Sequence, residues 1–576
     1  MKLELALLEE SYKHALPGNF PSGRESLKLS SVKNSFTAFQ AVLQSDEAFD
    51  ICLTDAASFS IYPKNKQLRV SSEFTGIGEV QVSFVNPVED DDGILRWDCI
   101  ENGDYYHVGA KQPCNLWCET AVPADTPAGT YDGVFRVYSH VMFETEKLVH
   151  EEKMKLTVHD LTLPSPAQYR MHLDLWQHLS NISRKHDVRL FSEEHFSVLE
   201  NYVASLAGLG QKNITVIATE IPWSGQRTFN DLDEPTDLFE YSYIRTYRNK
   251  DGSFTYDYTA MDRYISLCMK HGIKDRIEVF GLCGIWMTEE NGYGKVAADF
   301  PDGVRIRYLD TETGCHGYMD SETQIRNFIR ELYKHFTDKG WLDLVRITAD
   351  EPADLEIYRK TIKLILEEAP DFRFSIAINK AEFTTEFDSV MSDATPSLKC
   401  LAQDYDFIRQ NLLNREDKMV SWYVCCRPHF PNTFLKSHLL ESRLICILTH
   451  YLGLSGFLRW NYTVWPENPR KRLVFRSPDW LAGDMNFVYP GNDGRPLLSL
   501  RYKALLRGIE DFELLCMADD SSVSSRDFVW ENILRKTTLK ELSDSGYDES
   551  CPDRPFSLQP EDYENLRELI LNQMFD

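Results

Sequence analysis

The chain has 576 residues, 43% of them hydrophobic, with 62 basic against 89 acidic side chains and a formal charge of −27. That length supports two or three cores. Such a surface repels phosphate backbones and anionic lipid, so nucleic acid is a poor partner and a neutral substrate the easier one; no run approaches the roughly 20 apolar residues that span a bilayer, which argues against membrane insertion.

The first ten residues are apolar but studded with acids, and they lead to no small-residue cleavage site. They do not read as a secretory signal and predict a cytoplasmic protein. Residues 1–165 read as a β-sandwich. Stretches 67–72 and 78–85 alternate with period two, and 113–123 leads into a Pro/Gly turn before strands at 134–138 and 154–158. Nothing in this region clusters for chemistry, so it reads as a packing or carrier domain. Leu163-Pro164-Ser165-Pro166 is a stiff, short boundary.

The thirteen cysteines are odd in number and form no CxxC pair; Cys425 and Cys426 are adjacent. Free, buried thiols are expected rather than a disulfide framework. No metal or cofactor is expected. Cys315 and His316 lack partner ligands at suitable spacing.

From 166 to 520 the texture changes to strands alternating with amphipathic helices. Ser192 caps a predicted helix with Glu193 and Glu194 in its first turn. Strands are expected at 169–176, 213–218, 277–282, 344–348, 374–378, 398–402, 420–424 and 456–460. Eight strands separated by helices predict a (β/α)8 TIM-like barrel. An insertion at 289–317, rich in Gly, Asp and His, is placed to lid a pocket, and 521–576 reads as an acidic, short helical C-terminal extension. The fold class is therefore multidomain α/β: sandwich 1–165, barrel 166–520, extension 521–576.

A barrel carries its active site at the C-terminal ends of its strands. Those ends hold Asp174, Trp176, Gln177 and His178; Trp223; Trp286; Asp350 and Glu351; Asp404 and Tyr405; Tyr423; and Trp460 with Asn461. Acids interleaved with aromatics suit a sugar, whose C–H faces stack on indole, better than a phosphate. No phosphate-cradling glycine loop or HExxH competes.

The sharpest signal is Val345-Arg346-Ile347-Thr348-Ala349-Asp350-Glu351-Pro352, a β-branched strand ending in two adjacent carboxylates. Glycoside hydrolysis commonly needs a proton donor and a second carboxylate nearby. The plainer alternative is that Asp350 begins a turn while Glu351 caps the next helix and Pro352 opens it.

These stretches together resemble glycoside hydrolase family 123. The resemblance rests on Asp174-Leu175-Trp176-Gln177-His178, residues 191–196 and 210–215, Pro222-Trp223, Tyr256-Asp257-Tyr258, Asp262-Arg263-Tyr264 and Asp350-Glu351-Pro352. It continues through Tyr423-Val424-Cys425-Cys426, Pro431-Asn432-Thr433-Phe434, residues 456–460, Ala482-Gly483-Asp484, Tyr489-Pro490-Gly491 and residues 507–513. It implies a retaining β-N-acetylgalactosaminidase in which the substrate's 2-acetamido oxygen attacks the anomeric carbon. Glu351 would be the general acid and later the base, and Asp350 would hold the acetamido N–H. An ionised Asp350 beside Glu351 is expected to raise the acid's pKa by like-charge repulsion. Tyr423 is expected to bond the acetamido oxygen and Trp460 or Trp286 to stack on the ring, with Asp174, Trp176, His178 and Asn432 as further pocket residues. A glycosidase for another β-hexosaminide or an unacetylated sugar, and a non-catalytic carbohydrate-binding protein, are the alternatives.

Overall fold

The structure is a computed structural model that describes all residues except 1, 24–25, 54–65, 223–238, 286–294, 387, 476–478, 549 and 576. Its N-terminal part is two facing sheets. One runs, in spatial order, Leu3–Glu9, Ser35–Ser45, Cys114–Val122, Gln81–Glu89, Leu95–Glu101 and Ala15–Leu16. The other runs Tyr105–Val108, Phe49–Cys52, Lys66–Phe74, Gly129–His140, Lys147–Thr162 and Leu27–Lys33. Period-two patterning makes the faces. In Gly129–His140, Phe135 and Val137 enter a shared core with Phe39, Leu116 and Leu156, while Arg136 faces out to Glu73 and Glu151 on neighbouring strands.

Eight parallel strands follow. Barrel strands β1 (His172–Leu175), β2 (Asn213–Ile217), β3 (Arg276–Phe280), β4 (Val345–Asp350), β5 (Arg373–Ile378), β6 (Met391–Pro396), β7 (Met419–Tyr423) and β8 (Gly456–Arg459) pair in chain order, and β8 returns to β1. The seam between β1 and β2 is one bridge, Leu173 to Gln211, with the Lys212 N–H donating to Leu173 O at 3.0 Å. The ring is thus nearly closed. Each strand is followed by a helix: α1 (Glu193–Gly208), α2 (Thr259–Lys270), α3 (Glu322–Asp338), α4 (Leu355–Glu368), α5 (Glu382–Glu386), α6 (Leu398–Ile408), α7 (Leu439–Tyr451) and α8 (Leu500–Asp520). Helical spacing explains how they pack: α3 buries Ile325, Phe328, Ile329, Leu332 and Phe336. Ser192 caps α1 as its sequence predicts, accepting from the His195 N–H at 3.2 Å.

One strand differs from the sequence reading. Residues 398–402 are the first turns of α6, capped by Ser397, and the sixth strand lies just before them. Asp404 and Tyr405 therefore sit inside a helix, where the Tyr405 hydroxyl donates to Leu452 O at 2.8 Å, and not at a strand end.

The barrel interior is polar. Asp393 on β6 accepts from both Arg276 on β3 and Arg346 on β4, each at 3.2 Å. One layer up, the buried carboxyls of Glu278 on β3 and Asp174 on β1 meet. Burial lifts Glu278 well above the carboxylate range, the Asp174 charge adding to it, and burial lifts Asp174 to about 6.

The sandwich is docked on the barrel. Trp97 and Trp117 pack with Leu439 at the start of α7 and Leu500 at the start of α8. Beside them Asp98 accepts from Arg501 Nε at 3.0 Å and from the Tyr489 hydroxyl at 2.6 Å, all three groups buried. The C-terminal helices α9 (Leu539–Tyr547) and α10 (Pro560–Phe575) lie on α6 and α8. The described part of the 289–317 insertion is structured: Arg307–Asp310 and His316–Tyr318 join Arg245–Arg248 and Phe254–Asp257 in a four-stranded sheet. Among the described residues no helix is long and apolar enough to cross a membrane.

Candidate active site

β4 is buried through Ala349 and surfaces at Asp350, which is half-buried. Glu351 continues the sheet by one bond, its N–H donating to Ala377 O at 3.0 Å, yet its φ is +45°. That left-handed conformation is costly for a residue with a Cβ. The helix-capping alternative fails. Helix α4 begins only at Leu355, and its cap is Asp354, whose carboxylate accepts from the Ile357 N–H at 2.9 Å. Neither carboxylate of the pair is occupied with starting a helix.

The Glu351 carboxyl instead meets Tyr423, at the end of β7, through Oε1, and Asn379, one residue past β5. The Tyr423 hydroxyl also lies 3.1 Å from Asn379 Oδ1. One phenolic proton cannot serve two acceptors. The hydroxyl donates to Glu351 Oε1, and Asn379 Oδ1 competes for the same proton. Burial raises Glu351 above its ordinary carboxylate value, against the opposing pull of the bonds from Tyr423 and Asn379. The like-charge repulsion expected from Asp350 is not among the causes. Asp350 is felt instead at Tyr423, whose own pKa is pushed far up by burial first and then by Glu351, with Cys425 and Asp350 adding.

The remaining wall is built from β7, β8 and the segments after them. Trp460 is buried; its indole N–H donates to Asp484 Oδ1 at 3.1 Å, and its ring lies 5.2 Å from that of half-buried Trp480. Asp484 also pairs with Arg459 at 2.7 Å. Arg459 reaches Asn432 Oδ1 at 2.6 Å, while Asn432 Nδ2 donates to the carbonyls of Pro428 and Cys425. With both ends of its amide so used and no exposure, Asn432 braces the loop after β7 from within and does not face a ligand. The thiols of Cys425 and Cys426 stand 3.7 Å apart in that loop.

Other expected residues form the floor. The Asp174 carboxylate lies in the barrel interior and accepts from Trp176 Nε1 at 3.1 Å, and Trp176 meets Phe280 edge-on at 4.9 Å. His178 is fully buried beneath the mouth, and burial lowers it to about 3, so it is neutral. Trp223 and Trp286 lie outside the described residues. Gly284 and Ile285 are fixed, however. Buried Asp302 accepts from the N–H groups of Gly284, Ile285 and Gly303 at 2.7–3.1 Å. A Cβ at Gly284, whose φ is +69°, would stand 2.7 Å from Ala349 Cβ, so only glycine lets this loop pass beside the end of β4.

Three residues of the site carry no sequence signal. Asn379 and Trp480 are isolated polar and aromatic positions. Burial first, and then the charges of Cys425, Cys426 and Glu351, push the pKa of Tyr547 at the end of α9 well up, which places the C-terminal extension against the site.

The chain has counterparts among known proteins. A family model, Glycoside hydrolase 123, catalytic domain, matches residues 176–518. No curated protein matches the chain. A solved structure of a family 123 glycoside hydrolase from Clostridium perfringens, described for glycolipid glycan hydrolysis, superposes with a TM-score of 0.70 at 18% identity, covering 100% of this chain and 97% of that one. At that identity the likeness shows the fold. A β-D-glucuronidase from Dictyoglomus thermophilum covers 83% of this chain and 68% of its own at 9% identity, with a TM-score of 0.32.

Proposed function

This chain belongs to glycoside hydrolase family 123, and from that premise we propose that it removes terminal β-linked N-acetylgalactosamine with retention, using the substrate's 2-acetamido oxygen as nucleophile. The observation that carries the reading is the buried Glu351 carboxyl, raised in pKa by burial and held by Tyr423 and Asn379 beside Asp350. In the first step the acetamido oxygen bonds to the anomeric carbon as the glycosidic C–O bond breaks, and Glu351 passes its proton to the leaving oxygen. Asp350 accepts the acetamido N–H and offsets the positive charge of the oxazolinium ring. In the second step Glu351, now a carboxylate, takes a proton from water as that water attacks the anomeric carbon and reopens the ring. Two inversions give retention, the recognised exception to displacement by an enzyme carboxylate.

The other carboxylates support this division of labour. Among the described residues near the strand ends, Asp302 is held by three backbone N–H groups, Asp484 by Arg459 and Glu220 by Arg307 and Tyr318. None is left to serve as a displacing nucleophile. The same reading makes 1–165 an accessory sandwich, 166–520 the catalytic (β/α)8 barrel and 521–576 an extension that closes one side of the site.

The test is nitrophenol release from the β-N-acetylgalactosaminide, the β-N-acetylglucosaminide and the β-galactoside, with wild type and Glu351→Gln. Turnover of the first is expected, with a loss of about 10²–10⁴-fold in the variant. Dinitrophenol, a better leaving group, should recover part of that loss because it needs less protonation. Equal turnover of the β-galactoside would overturn the acetamido mechanism.

A further inference from the structure

Away from Glu351, a cavity of about 510 Å³ opens between the segment after β2 and the sheet formed by the 289–317 insertion. Its size suits a small ligand. The wall is tied to the barrel mouth: Tyr243 N–H donates to Ile217 O, the last residue of β2, at 2.8 Å, and Ser242 Oγ donates to Ala218 O at 2.8 Å. The wall therefore stands at the C-terminal end of β2, the barrel end that also carries the candidate active site.

Its chemistry is opposite to that of the molecule as a whole. In a chain of charge −27, the described residues that line it set Arg189, Arg245 and Arg307 against one carboxylate, Glu220. Glu220 is already bonded to Arg307 at 2.7 Å and to the Tyr318 hydroxyl at 2.8 Å. Arg189 and Arg245 are exposed, and the carboxylate facing Arg245 from outside the lining is Asp257. Tyr241, Tyr247 and Tyr308 add aromatic surface, and Arg307 lies over the Tyr241 ring at 5.1 Å. Guanidinium groups bind carboxylate and sulfate through paired N–H bonds, while aromatic faces take the C–H surface of a sugar.

We propose that this cavity is a subsite for a negatively charged sugar, carboxylate- or sulfate-bearing, in the glycan from which the terminal unit is cut. That the bound sugar belongs to the substrate rests on the glycosidase reading; that the cavity binds it does not.

The experiment is titration of the full-length protein by calorimetry at low salt with 3′-sialyllactose, lactose 3′-sulfate and lactose. None of the three carries N-acetylgalactosamine, so the readout is independent of turnover. At least one acidic probe is expected to bind tenfold or more tightly than lactose, and which one does identifies the anionic group. The Arg189→Gln/Arg245→Gln double variant, altered only at exposed positions, should lose that preference. Lactose binding as tightly as both acidic probes, or an acidic preference untouched by the double variant, overturns the proposal. Selective acidic binding by a protein that fails to cleave β-N-acetylgalactosaminides would spare this subsite and sink the substrate assignment.

Discussion

Glu351 combines a left-handed φ of +45° with a buried carboxyl that favours its proton. The adjacency of Asp350 and Glu351 is visible in the sequence, but the cause of the raised pKa is not. Burial does that work, and burial depends on which strands lie alongside. The sign of the pH effect follows. A general acid acts while protonated, so kcat/KM should fall as pH rises through the Glu351 pKa. The Tyr423 bond lowers that pKa, so Tyr423→Phe should move the alkaline limb of the profile to higher pH. It should also reduce kcat/KM by about 10–100-fold, since a hydrogen bond to a charged group is worth about 1.5–3 kcal/mol. A pH–rate profile with an unmoved alkaline limb would show that Tyr423 does not govern the acid. Asn379, which completes the trio, left no mark in the sequence because a single amide next to a strand looks like any turn residue.

At the scale of elements, seven of the eight barrel strands are legible from short apolar or β-branched runs, and the sixth is not. Its sequence, Met391-Ser392-Asp393-Ala394-Thr395-Pro396, looks like a loop because Asp393 serves a polar barrel interior. The apolar run after it, beginning at Leu398, imitates a strand but is a helix start with Ser397 accepting from the Cys400 N–H at 3.2 Å. Hydrophobic patterning assumes an apolar inside, and here that assumption fails. The same interior makes a measurable prediction. The Glu278 pKa in the fold lies above its ordinary value, so its contribution to stability is present below about pH 4.3 and is lost as pH rises toward the folded value. Glu278→Gln removes that loss. Its Tm relative to wild type should therefore be higher at pH 8 than at pH 5, and an equal difference at both would mean that Glu278 and Asp174 hold no proton between them.

Across the whole molecule, the sandwich and the barrel are fastened by a buried ion pair as well as by tryptophans. Asp98→Ala leaves Arg501 buried without its carboxylate, and breaking such a pair costs about 3–5 kcal/mol. Denaturant unfolding should show a loss of that order; a change below about 1 kcal/mol would mean that the backbone carbonyls around Arg501 suffice. By itself the sequence determined the layered α/β organisation and the place of the acid pair at a strand mouth, because periodicity and local residue type are properties of neighbours along the chain. Only the tertiary structure decided that Glu351 is free of helix capping, that Asn432 and Asp174 face inward, and that Tyr547 from the C-terminal extension stands near the acid. Those outcomes depend on which distant residues share a burial site, and burial sets both hydrogen-bond partners and proton affinity.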